Sequence, residues 1–509
     1  MDAIMSTEKD FIDDINSGYA FKGESIILGG AMLNGEALSG AHINVPLKTL
    51  NRHGLICGAT GTGKTKTIQV LAEQFSSVGI PILMMDIKGD FSGIAKPGEE
   101  TPPITERQAK INLPYVVSGF PVELLTLSEQ NGVRLRATVS EFGPVLFSRI
   151  LGLNDTQAGI VSVIFKYCDD HQMALLDLKD IKKVINYITE EGKEDIEASY
   201  GKVSTSSTST ILRKVIELEQ QGGNLFFGEL SFDINDLMRF DDSGKGYVNI
   251  IRLTDIQNKP KLFSTFMLNL LMEIYQKMPE RGDVDQPELV IFIDEAHLIF
   301  NEASKTLLDQ IETIIKLIRS KGVGVFFVTQ NPMDIPPGVL AQLGLKIQHA
   351  LRAFTAKDRQ AIKQTADNYP ISNYYKTDEV LTSLGIGEAL VTALNEQGIP
   401  TPLAVTMMRA PMSRLSILTD TEINEINNQS KLVKKYSEVI NRESAYEMLN
   451  KKIANEGQKA AEAQQQVEEK GNKNTSNTNG AITKSVLKVL TSATFIRGVF
   501  SVVNKLFKK

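Results

Sequence analysis

The sequence predicts an α/β fold with a mainly parallel central sheet, a helical insertion and a C-terminal helical tail. Short, wholly apolar runs such as PILMMD (81–86) and ELVIFID (288–294) are typical of strands that are buried on both faces. Segments with helical spacing separate these runs, and this alternation indicates parallel strands joined by right-handed crossovers. In the middle of the chain helical spacing replaces the strand runs, apart from STSSTST (204–210), which we expect to be a polar loop.

Changes of rhythm along the 509 residues divide the chain into five segments. Brief apolar stretches interrupted by glycine pairs predict a short N-terminal β segment over residues 1–48. The strand–helix alternation assigns residues 49–125 and 246–450 to one split core, and helical spacing assigns residues 126–245 to a mainly helical insertion. A polar composition predicts a frayed helix that passes into a flexible linker over 451–482, and a lysine-flanked apolar stripe predicts a basic amphipathic tail helix over 483–509.

Composition and charge exclude several classes of protein. Apolar residues make up 42% and charged residues 23% of the chain, which excludes wholesale disorder. Cys57 and Cys168 are too few for a disulfide framework, and no apolar run reaches the ~18 residues of a membrane span. These features predict a cytoplasmic protein. The net charge is −6, yet every charged residue after Glu469 is basic, which indicates a polyanionic partner.

The strongest motif is a glycine-rich turn between an apolar strand and a helical segment: Gly58-Ala59-Thr60-Gly61-Thr62-Gly63-Lys64-Thr65. It fits the pattern G-x-x-x-x-G-K-[ST]. Glycines there let successive backbone N–H groups converge on phosphate oxygens, and the helix N-terminus adds partial positive charge. Lys64 would reach the β- and γ-phosphates, and the Thr65 hydroxyl would coordinate Mg²⁺. We therefore predict that ATP and Mg²⁺ bind here, with Lys66 among the ATP-binding residues.

A second signal is the acidic end of an apolar strand, Ile291-Phe292-Ile293-Asp294-Glu295. Carboxylates at the end of a buried strand are costly unless they contact cations or hydrogen-bond donors. Asp294 suits the holding of Mg²⁺, and Glu295 suits activation of the attacking water as a general base. The alternative is that the pair caps the helix that follows. We interpret His297 as a packing residue.

A third signal is the spacing of eleven residues between Arg319 and Gln330. Gln330 ends an apolar strand, where a polar side chain faces the γ-phosphate and can sense it. Arg319 has two interpretations. It compensates the helix dipole in the last turn before Gly322, or it is an arginine finger that reaches into the site of a neighbouring subunit. The residues alone leave both interpretations open.

Five runs together resemble the HerA/FtsK superfamily of ring-shaped ATPase motors: GATGTGKT, MMDIKGDFSG, FIDEAHLIF, IRSKGVGVFFVTQNPMDIP and IQHALRAFTAKD. The chain is most similar to the HerA-like helicase family typified by the bacterial protein YjgR, over about residues 53–450. The resemblance implies a RecA-like P-loop core, a homohexameric ring and ATP bound between protomers. It also implies that Arg319 acts in trans and that Arg352 is a second arginine near the phosphates.

The resemblance also implies a function. It predicts an ATPase, an ATP-hydrolysing ring motor that acts on DNA as a translocase or helicase-like protein. The alternative is an ATP-driven protein-remodelling ATPase, or one that recruits a nuclease or other effector and does not act on DNA. Asp86, Lys88 and Asp90 match a segment near the nucleotide or the central pore, although a solvated turn fits them equally well. The tail helix could neutralise DNA phosphates, lie on an anionic membrane surface or dock onto the ring or a partner protein.

Overall fold

The structure is a computed structural model, and it describes residues 8–256, 259–301, 305–438, 440 and 442–473. These residues form two compact units. The first unit contains the described residues up to Arg136 and those from Leu230 to Glu438. The second contains those from Ala137 to Glu229 and those from Ile440 onward.

Twelve strands of the described residues form one sheet in the first unit. The strands are β1 Ser25–Leu33, β2 Glu36–Pro46, β3 Gly54–Cys57, β4 Ile82–Asp86, β5 Val122–Thr126, β6 Val133–Arg134, β7 Val248–Arg252, β8 Leu289–Ile293, β9 Val323–Thr329, β10 Leu345–Gln348, β11 Glu388–Thr392 and β12 Ala404–Met408. The helices are α1 Glu8–Gly18, α2 Lys64–Ser77, α3 Pro102–Lys110, α4 Val139–Ile150, α5 Asp155–Asp170, α6 Leu178–Thr189, α7 Lys193–Tyr200, α8 Thr205–Gln220, α9 Gly223–Phe226, α10 Pro260–Lys277, α11 His297–Asn301, α12 Lys305–Ile318, α13 Pro337–Leu340, α14 Ala356–Ala366, α15 Thr377–Ser383, α16 Asp420–Gln429, α17 Lys431–Ser437 and α18 Ala445–Lys473.

The strand order of the sheet is β2-β1-β12-β11-β10-β3-β9-β8-β4-β7-β5-β6. All neighbours from β10 to β6 pair in parallel. The remaining strands, β11, β12, β1 and β2, extend the sheet through antiparallel pairs. The α/β class with a mainly parallel central sheet is therefore confirmed, and the strands of the N-terminal segment join this same sheet beside β12.

Aromatic packing fixes the helix α2 against the middle of the sheet. Every residue of β4, β8 and β9 is buried, as expected for parallel strands covered on both faces. Phe75 of α2 packs on Phe292 of β8 and Phe326 of β9, with ring centroids 6.1 and 6.0 Å away. Full burial of one such side chain contributes about 1.5–3 kcal/mol. This contact anchors the last turn of α2 on β8 and β9.

The Ser/Thr run 204–210 is helical, so its prediction as a polar loop is wrong. The Ser204 hydroxyl caps α8 by accepting a hydrogen bond from Ser207 N. Farther along, Thr208 and Thr210 donate their hydroxyl hydrogens to the carbonyls of Ser204 and Ser206, one turn earlier. Ser and Thr hydroxyls often favour turns, but here the backbone of the helix supplies their hydrogen-bond partners.

The second unit consists of helices α4 to α9 and α18. Asp180 of α6 joins the beginnings of α6 and α18, because its carboxylate accepts hydrogen bonds from Leu176 N, Ser444 Oγ and Tyr446 N at 2.7, 2.5 and 2.8 Å. α18 continues to Lys473 and so occupies much of the segment predicted as a linker (451–482). Its Ala, Gln, Glu and Lys residues are strong helix formers.

The rest of the predicted linker and the predicted tail helix (483–509) lie outside the described residues. Within the described part of the chain, no helix is both long enough and apolar enough to cross a membrane.

Candidate active site

The glycine-rich loop predicted from the sequence lies at the carboxyl ends of three neighbouring strands. It leaves β3 and ends where α2 begins. Gly58 N donates to Thr329 O at the end of β9 (3.3 Å), and Ala59 N donates to Ala350 O just beyond β10 (2.8 Å). These bonds hold the loop against the strands on both sides of β3.

Left-handed backbone angles make glycine necessary within the loop. Gly61 and Gly63 have φ values of 78° and 118°. A Cβ atom on Gly63 would lie 3.1 Å from Gly387 N, a tight contact that adds to the unfavourable backbone angle. The loop therefore curves tightly enough to place the start of α2 behind it, which is the arrangement that binds phosphate.

Lys64 lies over the loop that precedes it. Its ammonium donates to Gly58 O at 2.6 Å and to Ala59 O at 3.1 Å, and the residue is only 8% exposed. Burial lowers the pKa of Lys64, whereas the charges of Glu295 and Asp294 act in the opposite direction. The loop lysine and the two predicted acidic residues are thus close enough to influence each other electrostatically.

The strand order explains this proximity. β3, β9 and β8 are adjacent and parallel, so their carboxyl ends share one edge of the sheet. β3 leads into the glycine-rich loop, β8 leads into Asp294 and Glu295, and β9 between them leads into Gln330. Gln330 reaches the loop, because the Thr60 hydroxyl donates to its Oε1 at 3.4 Å.

The acidic pair after β8 is buried. Asp294 Oδ1 accepts a hydrogen bond from Glu295 N (2.9 Å), and Glu295 has a left-handed φ of 47°. Burial, aided by the charge of Glu295, raises the pKa of Asp294 to about 7. The Glu295 carboxylate contacts Lys88 and, at 3.2 Å, His297 Nδ1. His297, expected to be a packing residue, is therefore a polar neighbour of Glu295.

The donor set at this edge fits magnesium. A hydroxyl from Thr65 and a carboxylate from Asp294 are the hard oxygen ligands that Mg²⁺ takes. A cation beside Asp294 would also offset the burial that makes its carboxylate unfavourable. The described residues hold no group of three or more His, Cys, Asp or Glu suited to a metal.

Two predicted site residues are not brought to the phosphate loop by their side chains. The Lys66 ammonium donates to Leu415 O at 2.8 Å and to Gln69 Oε1 at 3.2 Å. Arg352 is exposed, two residues beyond Ala350, whose carbonyl accepts the hydrogen bond from the loop.

Arg319 lies at the other edge of the sheet. It begins a short 3-10 helix, Arg319–Lys321, which Gly322 caps just before the amino end of β9. Its guanidinium is 3.9 Å from Asp283, and its side chain is 43% exposed. Because β9 separates Arg319 from Gln330, this arginine is distant from the loop of its own chain.

Sequence reasoning left one contributor to the site undecided and missed another. Lys88, which follows β4, contacts Glu295, whereas the sequence favoured a place near the nucleotide or pore and a solvated turn equally. His349, which follows β10, is fully buried, and its two ring nitrogens contact Thr67 Oγ1 (2.9 Å) and Glu388 O (2.8 Å). The position of each directly after an apolar strand was the available signal.

Asp86 has a structural role in the turn that carries Lys88. It is 1% exposed, and its carboxylate accepts hydrogen bonds from Gly89 N, Asp90 N and Phe91 N at 2.7, 2.9 and 3.2 Å. Burial raises the pKa of Asp86 to about 6 despite these bonds. The turn after β4 is therefore held rigidly from within.

A glycine-rich loop and an acidic strand end, separated by one strand at the carboxyl edge of a parallel sheet, define a P-loop ATPase. The chain belongs to the family described as Helicase HerA-like C-terminal, whose model matches residues 32–503. The predicted resemblance to HerA-type proteins is thus confirmed, and the ATPase class with it.

Individual relatives agree with this assignment. The chain is 22% identical over 398 residues to the DNA double-strand break repair helicase HerA of Sulfolobus acidocaldarius, covering 74% of this chain and 69% of that protein. It is 24% identical over 358 residues to the protein of the same name from Sulfurisphaera tokodaii, covering 69% and 64%. The chain therefore spans about two thirds of the length of these relatives.

A solved structure shares the fold. The bacterial conjugative coupling protein TrwB, in an unbound form, superposes with a TM-score of 0.51 at 14% identity, covering 80% of this chain and 94% of that one.

Proposed function

We propose that this chain is an ATP-hydrolysing motor that assembles into a homohexameric ring and translocates DNA. The observation that carries the proposal is the meeting of the glycine-rich loop, Gln330 and the acidic pair Asp294–Glu295 at one sheet edge. A phosphate chain on the loop would present its terminal group to the ends of β9 and β8.

Each side chain has a role that follows from its place. Lys64 and the loop N–H groups bind the phosphates, while Thr65 and Asp294 hold Mg²⁺. The metal supplies charge neutralisation on the phosphate oxygens. Glu295 accepts the proton of the attacking water, and Gln330 contacts the γ-phosphate.

Arg319 completes the site of a neighbouring protomer in this proposal. It is exposed and lies at the edge opposite to its own phosphate loop, so only a second copy can bring it to a nucleotide. A ring places the loop of each protomer against the next one. Arg352, exposed near the loop, is assigned a second contact with the phosphates at the same interface.

DNA is the proposed track because two of the relatives are named DNA double-strand break repair helicases. The wholly basic charges after Glu469 suit a polyanion. A nuclease or other effector, and a membrane or protein contact of the tail, are further proposed partners. Two buried free cysteines, Cys57 and Cys168, suit the reducing cytoplasm that we propose as its location.

The test is an ATPase assay of the full chain with and without duplex DNA, alongside a size measurement in ATP. We expect an ATP-dependent hexamer whose turnover rises with DNA and whose DNA binding weakens with salt. Glu295→Gln serves as the matched inactive control. Turnover that ignores DNA but responds to a polypeptide would favour the protein-remodelling alternative. Negligible turnover with tight ATP-dependent assembly would favour an effector-recruiting scaffold.

A further inference from the structure

Lys88 and Glu295 form an ion pair between the ends of two adjacent strands. β4 and β8 are parallel neighbours, with Met85 opposite Ile293, so the residues that follow them leave the sheet at the same edge. The Lys88 ammonium contacts Glu295 Oε1. The Glu295 side chain is 6% exposed and that of Lys88 is 41% exposed, so the lysine is the partner with access to solvent and to a ligand.

The same ammonium is also within electrostatic range of Lys64. The charge of Lys88 lowers the pKa of Lys64, in the same direction as the larger effect of burial. Burial would lower the pKa of Lys88 too, but its contact with Glu295 raises that pKa overall, so Lys88 is a cation. Two cations held near one loop repel each other, and an anionic phosphate between them would stabilise both positive charges.

The backbone on both sides of the pair is fixed, and the side chain of Lys88 is the part that can move. Ala296 N donates to Val328 O at 2.8 Å, and the Asp294 carboxylate accepts from Glu295 N. On the other strand, Asp86 holds the turn that carries Lys88 through three backbone N–H groups. An exchange of partners by Lys88 therefore needs only rotation about its side-chain bonds.

The pairing has a chemical consequence for Glu295. The Lys88 ammonium occupies Oε1 of this carboxylate, and His297 Nδ1 lies 3.2 Å from Oε2. Water gains access to Oε1 when Lys88 leaves it, so general-base action through Oε1 requires Lys88 to have another anionic partner nearby.

We propose that Lys88 alternates between Glu295 and the γ-phosphate of bound ATP, so that a triphosphate, and not a diphosphate, releases the general base. The inference rests on the ATPase site of the proposed function and assigns it a further residue. Lys88 is then a triphosphate-specificity residue and a positioning residue for Glu295. No proton or bond changes hands in this step, since only ion-pair partners are exchanged.

The test is equilibrium binding of a non-hydrolysable ATP analogue and of ADP, each with Mg²⁺, to the full chain. Lys88→Met should weaken binding of the analogue roughly tenfold while leaving ADP binding unchanged, because one charge-assisted hydrogen bond to the γ-phosphate is lost. Lys88→Arg keeps the cation and should retain most of the preference. Lys435→Met is the matched control, since Lys435 is similarly exposed and pairs with Asp236 at 2.7 Å.

A double-mutant cycle makes the test independent of hydrolysis. Glu295→Gln removes the competing partner and should tighten binding of the analogue, and Lys88→Met should then cost more in that background than in the wild type. Equal losses for the analogue and ADP, or the absence of coupling in the cycle, would overturn the inference. A wild-type chain that binds neither nucleotide would overturn the proposed function and this inference with it. A wild-type chain that binds and discriminates, with the Lys88→Met variant discriminating equally, would overturn this inference alone.

Discussion

Removal of the Arg319 side chain tests whether hydrolysis is shared between protomers. β9 has seven residues, from Val323 to Thr329, and Arg319 precedes it while Gln330 follows it. At about 3.3 Å per residue the strand is roughly 20 Å long, which exceeds the reach of any side chain. Arg319 therefore cannot contact a nucleotide on its own loop.

The expected loss is large, because an arginine that stabilises the transition state contributes about 10³-fold or more to turnover. Arg319→Ala should lower kcat by about this factor. Nucleotide binding should change little, since the contact of the guanidinium with Asp283 in the described part of its own chain is long (3.9 Å) and exposed. A helix-dipole role alone would contribute about 0.3–1 kcal/mol to stability and nothing to turnover.

The decisive assay mixes two inactive variants. Lys64→Ala removes the phosphate-binding lysine but leaves Arg319, and Arg319→Ala does the reverse. In a randomly assembled equal mixture, about a quarter of the interfaces pair an intact loop with an intact arginine. Turnover should therefore reappear on mixing. A mixture as inactive as its components, or near-normal turnover by Arg319→Ala alone, would refute the reasoning.

Three further predictions concern the same sheet edge. Glu295→Gln should lower turnover by about 10²–10⁴-fold without weakening ATP binding, which single-turnover and binding assays would separate; near-normal turnover would contradict the assignment. Burial lowers the pKa of His349 from 6.5 to about 4. At this site the folded chain therefore binds fewer protons than the unfolded chain in that window, so the contribution of His349 to the free energy of unfolding should fall as pH drops through it, by on the order of 3 kcal/mol. His349→Gln removes this contribution, so the difference in free energy of unfolding between wild type and variant, measured by urea unfolding, should change with pH by about this amount, and a constant difference would contradict it. Gly63→Ala should cost about 1–3 kcal/mol and abolish nucleotide binding, because φ is 118° there. The control Gly159→Ala, with no atom within 4 Å of its new Cβ, should be tolerated, and equal effects of both would contradict the argument.

The strands that carry the site were predictable because they are continuous apolar runs. β4, β8 and β9 are buried along their whole length, and no partner is needed to recognise them. β5 was not recognised, because the buried Glu123 interrupts its pattern. That carboxylate is tolerated only through Arg239, 2.6 Å away and 116 residues later in the chain. A partner so distant in the chain is found only in the folded structure, so the sequence does not show that Glu123 can lie in a buried strand.

The same reason limits prediction of the site. The glycine-rich loop and the acidic strand end carry their chemistry in consecutive residues, so the sequence displays them directly. The contact of Lys88 with Glu295 depends on β4 lying next to β8, although about 200 residues separate them in the chain. Arg319 lies at the opposite edge of the sheet because it precedes β9, whereas Gln330 follows β9. The spacing of eleven residues in the sequence does not by itself establish that a strand separates the two.

The most direct measurement of the central claim is a crystal structure of the full chain with a non-hydrolysable ATP analogue and Mg²⁺. The account predicts that the phosphates lie on the N–H groups of residues 58–65 and that the metal lies between Thr65 and Asp294. A triphosphate bound elsewhere, or a metal that contacts neither of these residues, would contradict it.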